Sequence, residues 1–256
     1  NGFEVEITGD NSNAFDNYYV KYVSDSNNDE GFFQECQQSG LKDSIDTSTL
    51  PHLLIRQADG NFRFTPANGH TYTISGTDFT VPQYGSRVVG DATSAPEPSF
   101  VGQKMGDIFF HRNRLGFIAG ESIVMSRAGE FFKFFPETVT TILDSDPIDV
   151  NVSHVKVSNL RHAIPFAEEL LLFSDQTQFV MSGANILTPS NIVINATTEF
   201  ESSLDAKPVS AGRNVFFAFN KGNFTGVREY YVDADSDTND ADDITAAVPK
   251  YIPKNV

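Results

Sequence analysis

The chain has 256 residues, enough for one large β domain or two ordinary domains with a sizeable core. Its net charge of −16, from 34 acidic and 18 basic residues, excludes a general nucleic-acid binder, because duplex binding needs Lys and Arg to neutralise phosphates. A single cysteine, Cys36, excludes an internal disulfide framework and any multi-cysteine metal site, and the lack of Trp removes the residue most used for sugar stacking.

The chain opens on Asn-Gly rather than Met and closes on PKYIPKNV, which reads as a piece of a longer protein. No apolar run approaches the roughly 18 residues that span a bilayer, and no signal peptide is visible. Twenty-three Phe and 8 Tyr carry the apolar load, which favours sheets, where aromatic rings pack on a pleated face. The first strand signals are NYYVKYV, then HLLIRQADGNFRFT, in which Asp59-Gly60 offers the positive φ angles of a tight hairpin turn. HTYTIS and DFTVPQY follow as further short strands. From Val81 to Ser99 the chain is rich in Gly, Pro, Ser and Ala and has little periodicity, the mark of a boundary. We therefore expect a smaller β-rich domain over 1–85, a linker over 86–98 and a second β region over 99–256.

That second region opens with DIFFHR, LGFIAG, SIVMSR and FFKFF, four short runs separated by turn-like pieces, which read as one antiparallel meander. RHAIPF, ELLLFSD and QFVMSG follow, then RNVFFAFN and FTGVREYYV. The stretch PFAEELLLFSDQTQF has an alternative helical reading, but its unbroken LLLF run suits a buried central strand. Setting LGFI, LLLF and VFFA in register aligns Leu115, Leu170 and Val215. Their spacings are 55 and 45 residues, and a period near 40 to 50 with about four strands per unit is the mark of propeller blades. The expected fold is thus mainly β: propeller-like blades, with the propeller itself allowed to be incomplete, plus the N-terminal domain.

Chemical motifs are sparse. The acidic string DADSDTNDADD places Asp233, Asp235 and Asp237 at alternating positions, like the start of a calcium loop, but Thr238 and Ile244 stand where such a loop needs Gly and Glu. DSDPIDV offers Asp144, Asp146 and Asp149, three carboxylates that could hold a hard cation or cap turns beside Pro147; the turn role is favoured. No metal or other cofactor is expected. Glu168 and Glu169 are adjacent, so on a strand they point to opposite faces and cannot act as an acid–base pair. Cys36 and His52 carry no signature of a nucleophile and base. Arg112, Arg114 and Arg127 are expected to be structural, gripping carboxylates between blades or subunits through their bidentate forks. No P-loop, GxSxG, HExxH or dinucleotide fingerprint is present, and no catalytic residues are assigned.

Several stretches together carry a resemblance: DNYYVKYV, LPHLLIRQADGNFRF, PSFVGQKMGDIFFHRNRLGFIAGESIVMSRAGEFFKFFP, DSDPIDV, HAIPFAEELLLFSDQTQFVMSG, GRNVFFAF and VPKYIPKNV. In this order and spacing they resemble the tail tubular protein B, or nozzle protein, family of short-tailed bacteriophages, over an interior portion. The resemblance implies a structural, non-enzymatic virion protein of the phage tail, assembled in the host cytoplasm. It implies a homohexameric ring that forms and gates the DNA ejection channel. Its implied partners are other copies of itself, the tail adaptor (tail tubular protein A), tail fibres and genomic DNA passing without specific binding, with no membrane partner. The alternative is a carbohydrate-binding or carbohydrate-active β-propeller on the tail, which would need converging carboxylates in a pocket.

Overall fold

The computed structural model describes residues 2–9, 17–25, 30–153, 155, 159–166, 168–183, 186–236 and 238–254. Among the described residues the fold is mainly β, in several antiparallel sheets, with no α-helix and a 3₁₀ turn at Thr47–Thr49 that Asp46 caps through its carboxylate. Contacts divide the chain into two units, the first comprising 1–101 with 126–147 and the second 102–125 with 148–256.

In the first unit, β1 (Glu4–Ile7), β2 (Tyr18–Ser24) and β3 (Gly31–Cys36) form a three-stranded antiparallel sheet. Two separate ribbons follow, β4 (Leu53–Arg56) with β5 (Phe62–Thr65), and β6 (Thr71–Ile74) with β7 (Thr77–Thr80). The Asp59-Gly60 hairpin forms, but only Gly60 takes the positive φ, at 86°. Gln57 N–H donates to Asn61 O, so the loop is longer than the two-residue type, and Asp59 instead caps it by accepting from Asn61 N–H. Residues 86–98, read as a linker from composition, bury Arg87, Val89 and Ala95 within this unit.

FFKFF is not the fourth strand of the first meander. Residues 131–135 belong to the first unit, where Phe134 and Phe135 are buried in irregular chain and Phe134 packs edge-on against Phe100 at 5.1 Å. The run lacks the polar alternation of a strand with one wet face, and the turn closed by Glu130 N–H donating to Arg127 O takes the chain out of the sheet before it.

The second unit contains three successive antiparallel meanders. The first comprises β8 (Met105–His111), β9 (Arg114–Ala119), β10 (Ser122–Met125) and β11 (Ile148–Asn151). Its fourth strand therefore comes from the DSDPIDV stretch, read from sequence as a turn. The second comprises β12 (His162–Phe166), β13 (Glu169–Phe173), β14 (Gln178–Ser182) and β15 (Val193–Thr198). The third comprises β16 (Val209–Ala211), β17 (Asn214–Lys221), β18 (Phe224–Asp233) and β19 (Thr238–Asp243), with β20 (Ile252–Pro253) also pairing β18. Leu115, Leu170 and Val215 each occupy the second position of the second strand of their meander.

The core explains the LLLF run. Leu170 and Leu172 join one apolar cluster with Phe109, Ile118, Ile123 and Met125 of the first meander. Leu171 and Phe173 join another with Val215, Phe217 and Tyr230 of the third. Side chains alternate across a strand, so β13 is apolar at all four positions after Glu169 because the middle sheet is covered on both faces. Each such Leu or Phe contributes about 1.5–3 kcal/mol relative to exposure. Two cross-strand pairs set a Phe ring flat over a glycine: Phe109 opposite Gly116, and Phe219 opposite Gly226.

Candidate functional site

A polar constellation of the second unit lies where β12 runs next to both β8 and β16, the first strands of the three meanders. A bulge at Gly106 shifts the β8 register, which re-aims the following side chain. That side chain is Asp107. Its carboxylate accepts from Ile108 N–H at 2.9 Å, from Ala163 N–H of β12 at 3.0 Å, and from the Lys207 ammonium at 2.7 Å on each oxygen. One carboxylate thereby ties the first meander to the second and to Lys207, in the segment that leads into β16. With donors on both oxygens, it is a structural anchor rather than a free base. His162, beside Ala163, is partly buried, and burial lowers its pKa against the opposing pull of Asp107.

The three arginines lie at different places. Arg112 and Asn113 form the β8–β9 turn with φ of 46° and 59°, the paired left-handed geometry of a two-residue hairpin. Arg112 Nη2 donates to the Glu168 carbonyl at 2.8 Å, in the turn before β13, where Glu169 starts the strand. Arg114 is fully buried and its Nη2 donates to the Leu187 carbonyl at 3.2 Å. Both link the first meander to the second through backbone oxygens. Arg127, in the first unit, pairs with two carboxylates, Glu130 at 2.6 Å and Glu137.

The acidic candidates separate. Asp144 and Asp146 belong to the first unit, Asp144 exposed and Asp146 buried with Oδ2 accepting from Leu143 N–H at 2.8 Å, which closes a turn. Asp149 lies on β11 in the second unit, opposite Val124. Asp233 ends β18 and accepts from the N–H groups of Asp235 and Ser236; these hold its carboxyl below the usual carboxylate range. Asp235 is exposed, and Asp237 lies outside the described residues. The rest of the acidic string is strand β19, an edge strand whose Asp240 and Asp242 face water. Among the described residues, no group of three or more His, Cys, Asp or Glu side chains is placed to hold a metal ion.

Cys36 is buried at the end of β3, and burial pushes its thiol up, away from the reactive thiolate. His52 stacks on Phe64 and its Nδ1 lies 3.0 Å from Leu50 O. A cavity of about 180 Å³ between the two ribbons is lined by Ile55, Ile74, Phe79, Arg56 and Asp78, its one carboxylate. Another, of about 220 Å³, lies beside Arg127, Lys133 and Phe135 and offers only Glu137. Neither gathers the pair of carboxylates that glycoside hydrolysis uses.

Sequence reasoning passed over three residues. Asp107 and Lys207 meet across 100 positions, and no local pattern announces such a pair. Arg87 is buried in the irregular part of the first unit, donating from Nε to Ala95 O at 2.7 Å and from Nη1 to Lys42 O at 2.8 Å. Its one sequence signal is a lone cation in a Gly- and Ala-rich stretch.

Comparison with known proteins adds two findings. A family model described as bacteriophage nozzle protein matches residues 1–256. The chain is also 40% identical over 257 aligned positions to tail tubular protein gp12 of Escherichia phage T7, a match that covers 100% of this chain and 30% of that relative. The chain thus spans less than a third of the length of the curated relative it matches.

Proposed function

Because this chain belongs to the bacteriophage nozzle protein family along its whole length, we propose that it is a structural part of a phage tail, in the ring through which DNA leaves the virion. The observation that carries this reading is the match to the nozzle family over all 256 residues. The three successive meanders support taking them as consecutive blades of a propeller. In this reading the protein forms a homohexameric ring, meets the tail adaptor and the fibres, and lets genomic DNA pass without specific binding.

The mechanism is geometric and electrostatic. Stacked sheets that bury Leu170 and Leu172 on one face of β13 and Leu171 and Phe173 on the other, clasped by Asp107, Arg112 and Arg114, hold a wall rigid. A net charge of −16 keeps that wall from capturing phosphates, since trapping would need Lys and Arg aimed at the bore. The role is non-catalytic. Imaging the tail of a virion that carries this protein tests the reading. The expected result is density for these three meanders in a ring around the channel, with carboxylates facing the axis. Density outside the tail, or a basic axial wall, would refute it.

A further inference from the structure

The cavity of about 220 Å³ in the first unit lies between residues 85–88 and the 127–137 segment. Its lining combines three charged side chains, Arg127, Lys133 and Glu137, with Ser86 and the apolar Val88 and Phe135. Backbone bonds hold the two sides: Gly85 N–H donates to Phe132 O at 2.8 Å, and Arg127 N–H donates to Lys133 O at 2.9 Å. Gly85 also leaves room for Lys133, whose Cγ would lie only 3.1 Å from a Cβ at that position. The volume falls below the roughly 300–1,000 Å³ of drug-sized pockets, so the space suits a small molecule.

Arg127 is 8% exposed, and a guanidinium so buried needs acceptors for its donors. Nη1 donates to Glu130 at 2.6 Å and Nη2 to Glu137, but the Nε–H has no acceptor among the described residues. Glu130 is shared with Lys133. The Glu137 side chain is 61% exposed, so this carboxylate sits at the rim, where an ion pair is weak and exchanges with solvent. Arg87 adds charge nearby: it is buried, its guanidinium lies 5.1 Å from the centre of the Phe135 ring, and its bonds go to the carbonyls of Ala95 and Lys42 rather than to a carboxylate. Three cations, Arg87, Arg127 and Lys133, thus meet two carboxylates, Glu130 and Glu137, which leaves a local charge of +1 in a chain that carries −16. A buried cation without a counter-anion is costly, and an anion in this cavity would offset that cost.

We propose that this cavity binds a small organic carboxylate, with its head on Arg127 and Lys133 and its apolar body against Val88 and Phe135. Glu137 holds Arg127 Nη2 in the free protein and yields it to the ligand, one carboxylate replacing another on the guanidinium fork. The test is saturation-transfer NMR titration of the full chain with benzoate, alongside benzyl alcohol, which is neutral and of nearly the same shape. Benzoate should bind with a Kd on the order of 1 mM, and benzyl alcohol should not. Glu137→Gln removes the resident competitor and should tighten benzoate binding about 5-fold, a gain that a merely structural ion pair would not give. Val88→Trp should fill the cavity and abolish binding. Glu137 and Val88 are both exposed, so each variant should keep the wild-type far-UV spectrum; if Val88→Trp misfolds, Glu137→Gln alone decides. Absence of benzoate binding, or equal affinity in wild type and Glu137→Gln, overturns the site. Benzyl alcohol binding as tightly as benzoate overturns the role of the charge. Inorganic phosphate that displaces benzoate at equal concentration overturns the carboxylate assignment and leaves an unselective anion site.

Discussion

Substituting Gly116 by Ala tests whether the second unit depends on a ring laid over a bare backbone. A Cβ at Gly116 would fall within 2.7 Å of three carbons of the Phe109 ring. Carbon atoms rest about 3.5–4.0 Å apart, so the ring must retreat by on the order of 1 Å. It has little room, since Phe109 is buried against Ile118, Ile123 and Leu170. Overpacking of this kind costs about 1–3 kcal/mol. Without the ring the sign reverses, because Ala is the better strand residue by about 0.5–1 kcal/mol. Phe109→Ala alone should cost about 3–5 kcal/mol, and Gly116→Ala added to it should cost nothing further or recover some stability. Equilibrium urea unfolding of the full chain, followed by far-UV circular dichroism, measures all four corners of the cycle. Gly116→Ala costs that agree within about 0.5 kcal/mol in the two backgrounds would refute the reasoning.

Other outcomes follow from the same geometry. Arg87→Ala strands the carbonyls of Ala95 and Lys42 and should destabilise the protein by about 3–5 kcal/mol, with Arg87→Lys recovering little because one ammonium cannot span both oxygens; thermal melts check this. Burial holds His111 and His162 below the ordinary value of 6.5, His111 with help from Arg112. The unfolded chain then takes the proton first, so stability is full above about 6.5 and falls as pH drops toward the lower folded values; His162→Gln should make urea midpoints less acid-sensitive. Burial also pushes the Tyr84 hydroxyl from 10.0 up to about 12. Here the unfolded chain ionises first, so stability should hold below pH 10 and decline between 10 and about 12, less steeply in Tyr84→Phe; ultraviolet titration of tyrosinate should show a late-ionising group that the variant lacks.

Much of the sheet content was legible because it follows from side-chain type and period. NYYVKYV, HTYTIS and the LLLF run became strands, and Leu115, Leu170 and Val215 became equivalent positions. What failed were places where distant partners overrule local pattern. FFKFF is apolar enough for a strand, yet Tyr84 and Phe100 of the first unit claim its rings. IDVN looks like a turn ending, yet β10 pairs with it. DADD is poor strand sequence, but it lies along the ten-residue β18 as an edge, where outward carboxylates discourage stray pairing. The clasp at Asp107 was invisible because its other half arrives 100 residues later.

The excursion of residues 126–147 has an outcome for biosynthesis. The nascent second unit can pair three strands of its first sheet, but the fourth, Ile148–Asn151, emerges only after the ribosome has finished the segment that completes the first unit. Neither unit is one continuous stretch, so no single cut releases both intact: a cut at 101 deprives the first of 126–147, and a cut at 147 deprives the second of 102–125. Their maturation is interlocked by the order of the message itself, and a frameshift or nick inside that excursion should cripple both at once rather than spare either.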